Sequence, residues 1–261
     1  MVVTNFPAEP ILSPESAIAA LDTEDNQIRY YAAWWLGKHQ VQSAYLALCQ
    51  QLQDTRYRTV QGGYPLRRQA ARALGQLKNS QAVPALLDAL ECDEDPQCRE
   101  VVIEALGKIG DRRAIMPLLQ LLQSAQPQPY EALIEALGEL QVLEALPLVE
   151  PFLKHSSERV QCAAARYLYL TTQKPEYLQR IIDNLSHENR YLRWAAVFDL
   201  GAIGHLSAAE AIVRAKIANS LKLLNLKRIL QTVLESDISE LDKQKPKEFL
   251  FGAIDNLIME L

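Results

Sequence analysis

Apolar positions recur along the chain in a nine-residue pattern, which we call the repeated segment. Its six copies occupy residues 29–37, 67–75, 99–107, 130–138, 161–169 and 193–201. Counted from zero, positions +3, +4 and +7 of each copy are Ala, Val, Ile or Leu, a spacing that places them on one face of a helix. The closing residues lie 38, 32, 31, 31 and 32 residues apart. A period of this length is typical of stacked helix pairs.

A second kind of apolar segment precedes several copies and predicts the first helix of each pair. Examples are residues 82–90, 114–122 and 145–153, which carry Pro84, Pro117 and Pro147 near their starts. A proline in the first turn of a helix loses no intrahelical hydrogen bond. The predicted fold class is therefore all-α, as one αα-superhelix (solenoid) of about seven HEAT-like helix pairs, each packed mainly on its neighbours.

The helical pattern also predicts how the chain is organised. We expect residues 1–13 to form an N-terminal tail, 14–235 the solenoid, and 236–261 a charged linker followed by a C-terminal helix. Ser13 and Pro14 match a helix cap followed by a first-turn proline. The C-terminal helix either caps the stack or docks a partner. Capping is favoured, because the end of a solenoid must cover an apolar face.

The closing position of the repeated segment is Gly in five copies and Tyr169 in the fifth. Glycine fits either a helix end that turns left-handed or a close helix contact that leaves no room for a Cβ atom. The bulky Tyr169 predicts that the fifth layer packs differently.

Positions +1 and +5 of the repeated segment are one helical turn apart and should face away from the core. They differ sharply between copies, which favours a binding surface over a uniformly solvated one. The pairs are Tyr30/Trp34, Arg68/Arg72, Glu100/Glu104, Glu131/Glu135, Cys162/Arg166 and Trp194/Phe198.

The second copy lies in a basic and aromatic part of the sequence. Five arginines occur with Tyr57 and Tyr64, and in this stretch only Asp54 opposes their charge. The arginines are Arg56, Arg58, Arg67, Arg68 and Arg72. Guanidinium groups bind carboxylates or phosphates, and aromatic neighbours suit a flat ligand. A large planar anion would satisfy both. Residues 91–104 are strongly acidic, so adjoining repeats carry opposite charges, which predicts a zwitterionic or mixed-polarity ligand or a protein partner.

Structural roles explain part of this pattern without any ligand. Arginine recurs at position zero as Arg29, Arg67, Arg99 and Arg193, which favours an arginine ladder that bridges the turns between helices. The acidic pairs also fit a solvated face. Four aromatic rings at residues 30–35 cannot all point inward, so at least one or two should be exposed.

Composition narrows the function classes. The formal net charge of -5 argues against a sequence-independent nucleic-acid binder. The sequence has no apolar run of about 18 residues and no secretory signal pattern, so we expect no membrane insertion. Four cysteines without Cys-x-x-Cys spacing favour free thiols and a cytoplasmic location.

Sequence motifs for catalysis or metal binding are sparse. The four histidines lie in different repeats without a Ser/His/Asp or Cys/His arrangement. His187-Glu188 is a lone His-Glu pair, so no metal site is predicted. Cys98 precedes Arg99 near a helix start, where a thiolate would be favoured, although a partly buried inert thiol is the favoured interpretation. The sequence identifies no catalytic residues.

Two stretches resemble a known family more specifically than a generic helical repeat does. Residues 29–38 and 62–75 closely resemble the E-type (alpha) subunit of the heterodimeric phycobilin lyases. Further similar segments follow in family order at 129–138, 160–166 and 218–223. The resemblance implies a lyase that pairs with an F-type subunit and attaches phycocyanobilin through a thioether to a cysteine of a phycobiliprotein α subunit. Phycocyanobilin would be the transferred substrate, and no permanent cofactor is expected.

The ligand implied by this resemblance assigns roles to the variable positions. A bilin is an open-chain tetrapyrrole with two propionates, pyrrole N–H groups and a conjugated plane. We expect arginines to bind the propionates, aromatic rings to stack, and Glu100 or Glu104 to accept pyrrole N–H bonds and stabilise a protonated chromophore. The bilin-binding candidates are Tyr30, Tyr31, Trp34, Arg67, Arg68, Arg72, Glu100 and Glu104, with Trp194 and Asp199 as second candidates.

Other functions remain open at this point. One alternative is a chaperone-like HEAT-repeat scaffold that binds the apo-phycobiliprotein while the F-type partner handles the bilin. A generic protein-interaction module explains the periodicity but not the concentration of Tyr, Trp and Arg. The sequence does not separate phycocyanin from phycoerythrocyanin as the target, and it identifies no residues for isomerising the bilin.

Overall fold

The computed structural model describes residues 11–91 and 95–260, and every regular element within these ranges is helical. Most of the predicted N-terminal tail lies outside the described residues, as do Cys92, Asp93 and Glu94 of the acidic stretch. The α-helices, joined in several places by short 3-10 turns, are α1 (Pro14–Ala20), α2 (Asn26–Lys38), α3 (Tyr45–Gln51), α4 (Pro65–Leu77), α5 (Val83–Ala89), α6 (Pro96–Ile109), α7 (Ile115–Leu122), α8 (Tyr130–Glu139), α9 (Leu146–Val149), α10 (Glu158–Thr172), α11 (Pro175–Asp183), α12 (Arg190–Ile203), α13 (Leu206–Arg214), α14 (Asn219–Glu235) and α15 (Glu240–Met259).

Internal contacts divide the chain into two compact units. Unit one is Met1–Ala145 and unit two is Leu146–Leu261. The division falls where the first helix of the fifth pair is cut short. α9 holds four residues and passes into a 3-10 turn at Glu150–Lys154. Pro151 has no N–H with which to continue α9, which explains the early end.

The repeated segments form the buried second helices of the pairs, so the predicted helical fold is confirmed. Within unit one, positions +3, +4 and +7 are 0% exposed in α2, α4, α6 and α8. Within unit two the same positions of α10 and α12 are at most 1% exposed. The apolar face read from the sequence is therefore the core of each unit, and positions on other faces remain available for binding.

The closing glycines provide a close contact between helices rather than a left-handed helix end. A Cβ atom on Gly37 would lie 2.8 Å from the Cα atom of Ala73, and one on Gly75 would lie 3.0 Å from the Cα atom of Ala105. Each glycine thus meets position +6 of the next copy. Tyr169, which replaces glycine in the fifth copy, is buried in the core of unit two.

The arginines at position zero form the ladder that their recurrence predicted. Arg67 Nε donates to the Asp54 carbonyl at 2.6 Å, and Arg99 Nε donates to the Leu90 carbonyl at 2.9 Å. Arg193 Nη1 donates to the carbonyls of residues 187 and 188. Arg29 is 0% exposed and pairs with the Asp54 carboxylate at 2.6 Å. These contacts tie the turns to the second helices.

Helix α15 differs from its prediction at its start. The charged linker expected at the start of residues 236–261 is largely helical, because α15 already begins at Glu240. Ser239 caps this helix by accepting a hydrogen bond from the Asp242 N–H. Pro246 lies within this helix. Leu250 and Leu257 are buried in the core of unit two, so α15 covers apolar surface there. No helix among the described residues is long and apolar enough to cross a bilayer.

Candidate functional site

Positions +1 and +5 of the four repeated helices in unit one lie on the protein surface. Helices α2, α4, α6 and α8 pack in this order, each against the next. We call their +1 and +5 side chains the unit-one strip. Its members, none of which is buried, are Tyr30, Trp34, Arg68, Arg72, Glu100, Glu104, Glu131 and Glu135.

The aromatic end of the unit-one strip is partly open to solvent, as predicted. Tyr31 is 48% exposed and Trp34 is 36% exposed, and their ring centroids lie 5.3 Å apart. Lys38 places its ammonium group 4.6 Å from the Trp34 ring. Trp35 instead stacks on His39 at 3.9 Å. Tyr31, Trp34 and Lys38 therefore present two rings and one cation to a ligand.

Arg68 forms an ion pair with a buried carboxylate. Its Nε atom lies 2.9 Å from Asp95 Oδ2, and its Nη1 atom donates to Gln97. Asp95 is 2% exposed and also accepts a hydrogen bond from the Tyr64 backbone N–H at 2.8 Å. Because of these hydrogen bonds, which outweigh the effect of burial, the pKa of Asp95 lies below its ordinary value. Asp95, which lies outside the basic stretch of the sequence, therefore opposes its arginines together with Asp54.

Arg67 and Arg72 occupy different environments. Arg67, besides its bond to the Asp54 carbonyl, stacks its guanidinium group 3.9 Å from the centre of the Tyr64 ring. It is thus largely engaged in the arginine ladder. Arg72 is exposed, and its charge acts on Glu100 of the next helix. Arg72 is consequently the more accessible of the two cations.

Glu100 has a raised pKa. Loss of water around the carboxyl group is the largest cause, and the charges of Glu104 and Glu131 add to it, whereas Arg72 acts in the opposite direction. Glu104 in turn lies 3.7 Å from the ammonium group of Lys108. Glu100 is nevertheless exposed as a residue, so only part of its carboxyl group has lost water. Carboxyl groups whose pKa is shifted by lost water and by neighbouring charges cluster at functional sites. The structure thus brings together Arg72, Glu100 and Glu104.

A groove of about 530 Å³ adjoins the basic part of the unit-one strip. Arg68, Asp95 and Gln97 line one part of it. The rest comes from the loop between α3 and α4, through Thr59, Gln61 and Gly63. The groove therefore offers polar groups beside Arg68.

In unit two, Trp194 and Phe198 of α12 are 41% and 39% exposed. The Tyr191 ring meets Trp194 edge-on at 5.7 Å, and the Arg190 guanidinium lies 5.6 Å from the Trp194 ring. Asp199 is only 5% exposed. Its carboxylate pairs with Arg159 at 2.9 Å and lies 4.0 Å from Arg166, so it is not presented to a ligand as Trp194 is.

Two of the described thiols, those of Cys98 and Cys162, are buried, and the thiol of Cys49 is partly buried. Cys162 is 1% exposed, although its +1 position had been expected to face away from the core. It accepts a hydrogen bond from Asn184 Nδ2 at 2.8 Å. Burial is the main cause that raises the pKa of Cys162 to about 11, and the charge of Asp199 adds to it. Cys98 is also buried, in agreement with the inert interpretation.

Sequence reasoning missed several residues of these surfaces. Asp95 and Gln97 contact Arg68 from 27 and 29 residues away, a relationship that no local pattern encodes. Lys38 and Tyr191 could have been found, because each is one helical turn from a tryptophan. Among the described residues, no group of three or more His, Cys, Asp or Glu side chains is arranged to hold a metal ion.

The stacked helix pairs define a HEAT-repeat protein. A profile of HEAT repeats matches residues 64–132 and 115–201. A profile described as PBS lyase HEAT-like repeat matches residues 28–54 and 192–218. These matches agree with the helix pairs of both units.

Comparison with known proteins identifies the family. The chain is 67% identical to the bilin biosynthesis protein PecE of Mastigocladus laminosus, over 97% of this chain and 98% of that protein. It is 44% identical to the phycocyanobilin lyase subunit alpha of Nostoc sp., over 98% of each chain. A solved structure of the complex of CpcE and CpcF of phycocyanin lyase from Nostoc sp. PCC7120 matches with 45% identity and a TM-score of 0.81, over 98% of this chain and 100% of that chain. The chain therefore belongs to the E-type subunit family of the phycobilin lyases.

Proposed function

We propose that this chain is one subunit of a heterodimeric phycobilin lyase and binds phycocyanobilin on the unit-one strip. The observation that carries the proposal is the juxtaposition, on neighbouring helices, of exposed aromatic rings, an accessible arginine and a carboxyl group with a raised pKa. A flat, conjugated molecule with carboxylates and N–H groups complements all three. The relatives named as bilin biosynthesis and lyase proteins support the same ligand.

In this proposal the strip and two residues beside it, Tyr31 and Arg67, have separate roles. Tyr30, Tyr31 and Trp34 stack against the tetrapyrrole. Arg72 and Arg68 bind propionates, and Arg67 supports them by fixing Tyr64. Glu100, with Glu104 beside it, accepts N–H bonds and stabilises the protonated chromophore, which favours addition of the acceptor thiol at the ring-A ethylidene. The reacting thiol belongs to the acceptor protein. Trp194 of unit two is a second stacking candidate, and Asp199 acts there through Arg159 and Arg166.

The partners follow from the same relatives. A complex of CpcE and CpcF has been solved, which supports an F-type partner for this chain. The chain is more similar to PecE than to the phycocyanobilin lyase alpha subunit, which supports phycoerythrocyanin over phycocyanin as the source of the acceptor α subunit. The proposal includes a cytoplasmic location and no permanent cofactor.

Coexpression tests this function directly. The chain would be produced with an F-type subunit, a supply of phycocyanobilin and either candidate α subunit, and the product would be characterised by mass and absorbance. Attachment of a bilin to the α subunit only when both lyase subunits are present is expected. A phycoviolobilin product would identify the isomerising, phycoerythrocyanin-directed system. Attachment that does not depend on this chain would refute the proposal.

A chaperone-like scaffold is the second candidate, and one observation favours it. Arg67 and Arg68 are engaged by Asp54, Asp95 and Gln97, which leaves fewer donors for propionates. Titration of phycocyanobilin with this subunit alone distinguishes the two candidates. A bilin-binding subunit shifts the absorbance spectrum, whereas a scaffold that binds only apo-protein leaves it unchanged.

A further inference from the structure

The loop between α3 and α4 is a basic projection on unit one. Residues 55–63 contain Arg56 and Arg58 and no carboxylate, in a chain whose formal net charge is -5. Both arginines are exposed, and Val60 between Arg58 and the glycines is 101% exposed. A single exposed valine needs no explanation by itself. Here it lies beside two cations on one loop.

Internal hydrogen bonds hold this loop in one conformation. The Thr59 N–H donates to the Gly63 carbonyl at 2.8 Å, and the Gly62 N–H donates to the Thr59 carbonyl at 2.9 Å. Gly62 has a φ of 90°, a value that favours glycine. The loop therefore loses little conformational entropy when it binds a partner.

Two buried carboxylates fix the ends of the loop. Asp54 accepts the Tyr57 N–H at 2.9 Å, and Asp95 accepts the Tyr64 N–H at 2.8 Å. These carboxylates are also paired with Arg29 and Arg68. Asp54 also lies 3.3 Å from Arg56 Nε, but the Arg56 side chain remains exposed, as does Arg58. The negative charge near the loop ends is therefore buried and shared among several arginines.

The loop also borders the proposed bilin site. Thr59, Gln61 and Gly63 line the same groove as Arg68. A protein that touches the outer side of the loop is therefore brought next to the proposed propionate-binding arginines. The protein that must reach the bilin in a transfer reaction is the acceptor, whose cysteine forms the thioether.

We propose that the loop at residues 55–63 is the docking element for an acidic surface of the acceptor protein. This inference rests on the proposed function, because it places the acceptor beside the bound bilin. Arginine is enriched in protein interfaces, and charges at the rim of an interface accelerate association and fix its register. Val60, which follows the two cations on the same loop, supplies an apolar contact beside them.

The test uses the complete heterodimer with two variants. The double variant Arg56→Gln with Arg58→Gln removes both charges, and Arg58→Glu alone preserves the contact of Arg56 with Asp54. We expect the KM for the acceptor to rise about tenfold at low salt and to depend less on ionic strength, with kcat and the absorbance of bound bilin unchanged. Arg112→Glu is the matched control, since Arg112 is an exposed arginine on the turn before α7.

Direct titration of apo-acceptor onto the heterodimer separates this inference from the proposed function. If the wild-type heterodimer transfers no bilin, the proposed function is refuted. The titration would still show whether the loop at residues 55–63 binds the acceptor. A Kd for the acceptor that is equal in wild type and both variants would overturn the inference. So would an equal weakening by Arg112→Glu, or a loss of F-subunit pairing with acceptor binding intact.

Discussion

Gly107 of α6 lies directly against Ala136 of α8. A Cβ atom on Gly107 would be 2.8 Å from the Cα atom of Ala136, and equally close to the Glu139 carboxylate. The same relationship joins Gly37 to Ala73 and Gly75 to Ala105. The glycines therefore set the spacing of the helices that carry the unit-one strip.

Replacing Gly107 by Ala should destabilise unit one. The backbone of Ala136 cannot yield as a flexible side chain would, so the helices must move apart, and we expect the free energy of unfolding to fall by about 1–3 kcal/mol. Urea unfolding followed by circular dichroism measures the change. Gly252→Ala is the matched control, because Gly252 is a helical glycine with nothing within 4 Å of its Cβ position. That variant should gain about 0.5–1 kcal/mol. Equal effects of the two substitutions would contradict this account of the closing glycine.

The helical periodicity of the sequence predicts the buried faces of the helices, but not the contacts between distant residues. Positions +3, +4 and +7 report which face is apolar, and this face is indeed buried in both units. The contact of Arg68 with Asp95 spans 27 residues and depends on how neighbouring pairs pack, so no short pattern contains it. Cys162 is buried for a similar reason, since Asn184 from the next turn covers it. The strip positions could be predicted, but not which of their charges are already paired.

Asp54 should contribute strongly to the free energy of unfolding and to the loss of stability at low pH. Asp54→Asn leaves Arg29, which is 0% exposed, without its counter-charge, and we expect a loss of about 3 kcal/mol in the free energy of unfolding. Burial alone would raise the pKa of Asp54, but the hydrogen bonds from Arg29 and Tyr57 outweigh it and lower the pKa below 3.8. The stabilisation is therefore complete above the unfolded-state pKa and is lost as the pH falls through the folded-state value.

Thermal unfolding across the acid range measures this effect. Wild-type stability should fall more steeply below about pH 4 than that of Asp54→Asn, which lacks the titrating pair. Asp88→Asn, at an exposed carboxylate on α5, provides the control and should leave stability within about 0.5 kcal/mol of wild type. Identical acid profiles for wild type and Asp54→Asn would show that the buried pair does not control acid unfolding.

Substitutions at Arg68 and Arg72 should differ in their effect on stability, although both should weaken bilin binding. Arg72→Ala removes an exposed side chain, so we expect stability within about 0.5 kcal/mol of wild type and bilin affinity reduced about tenfold or more. Arg68→Ala also removes the cation beside buried Asp95, and this variant should lose about 3 kcal/mol of stability as well as affinity. Absorbance titration with phycocyanobilin and urea unfolding measure the two quantities. The double variant combines Arg68→Ala with Arg72→Ala. If it transfers bilin as the wild type does, with helicity and F-subunit pairing intact, the assignment of these arginines to the propionates is refuted.

If Glu100 binds the bilin as proposed, it should make opposite contributions to function and to stability. Its pKa is raised above 4.5, mainly by loss of water and then by Glu104 and Glu131. A raised pKa means that ionisation is harder in the folded chain than in the unfolded one, so the ionised carboxylate destabilises the fold as the pH rises through its pKa. Glu100→Gln should therefore increase stability at neutral pH while it weakens bilin binding. A variant that is both less stable and fully active would contradict this assignment.

The pH dependence of bilin affinity provides the sharpest test of Glu100. If its ionised form accepts the pyrrole N–H bonds, affinity rises with pH through the raised pKa. Glu104→Gln removes a neighbouring negative charge and should move the midpoint to lower pH, whereas Arg72→Gln removes a positive charge and should move it to higher pH. Glu91→Gln, at an exposed carboxylate before α6, should leave the midpoint unchanged. The two shifts have opposite signs, so a general loss of structure cannot produce both. Midpoints that coincide in wild type, Glu104→Gln and Arg72→Gln would place the titrating group elsewhere.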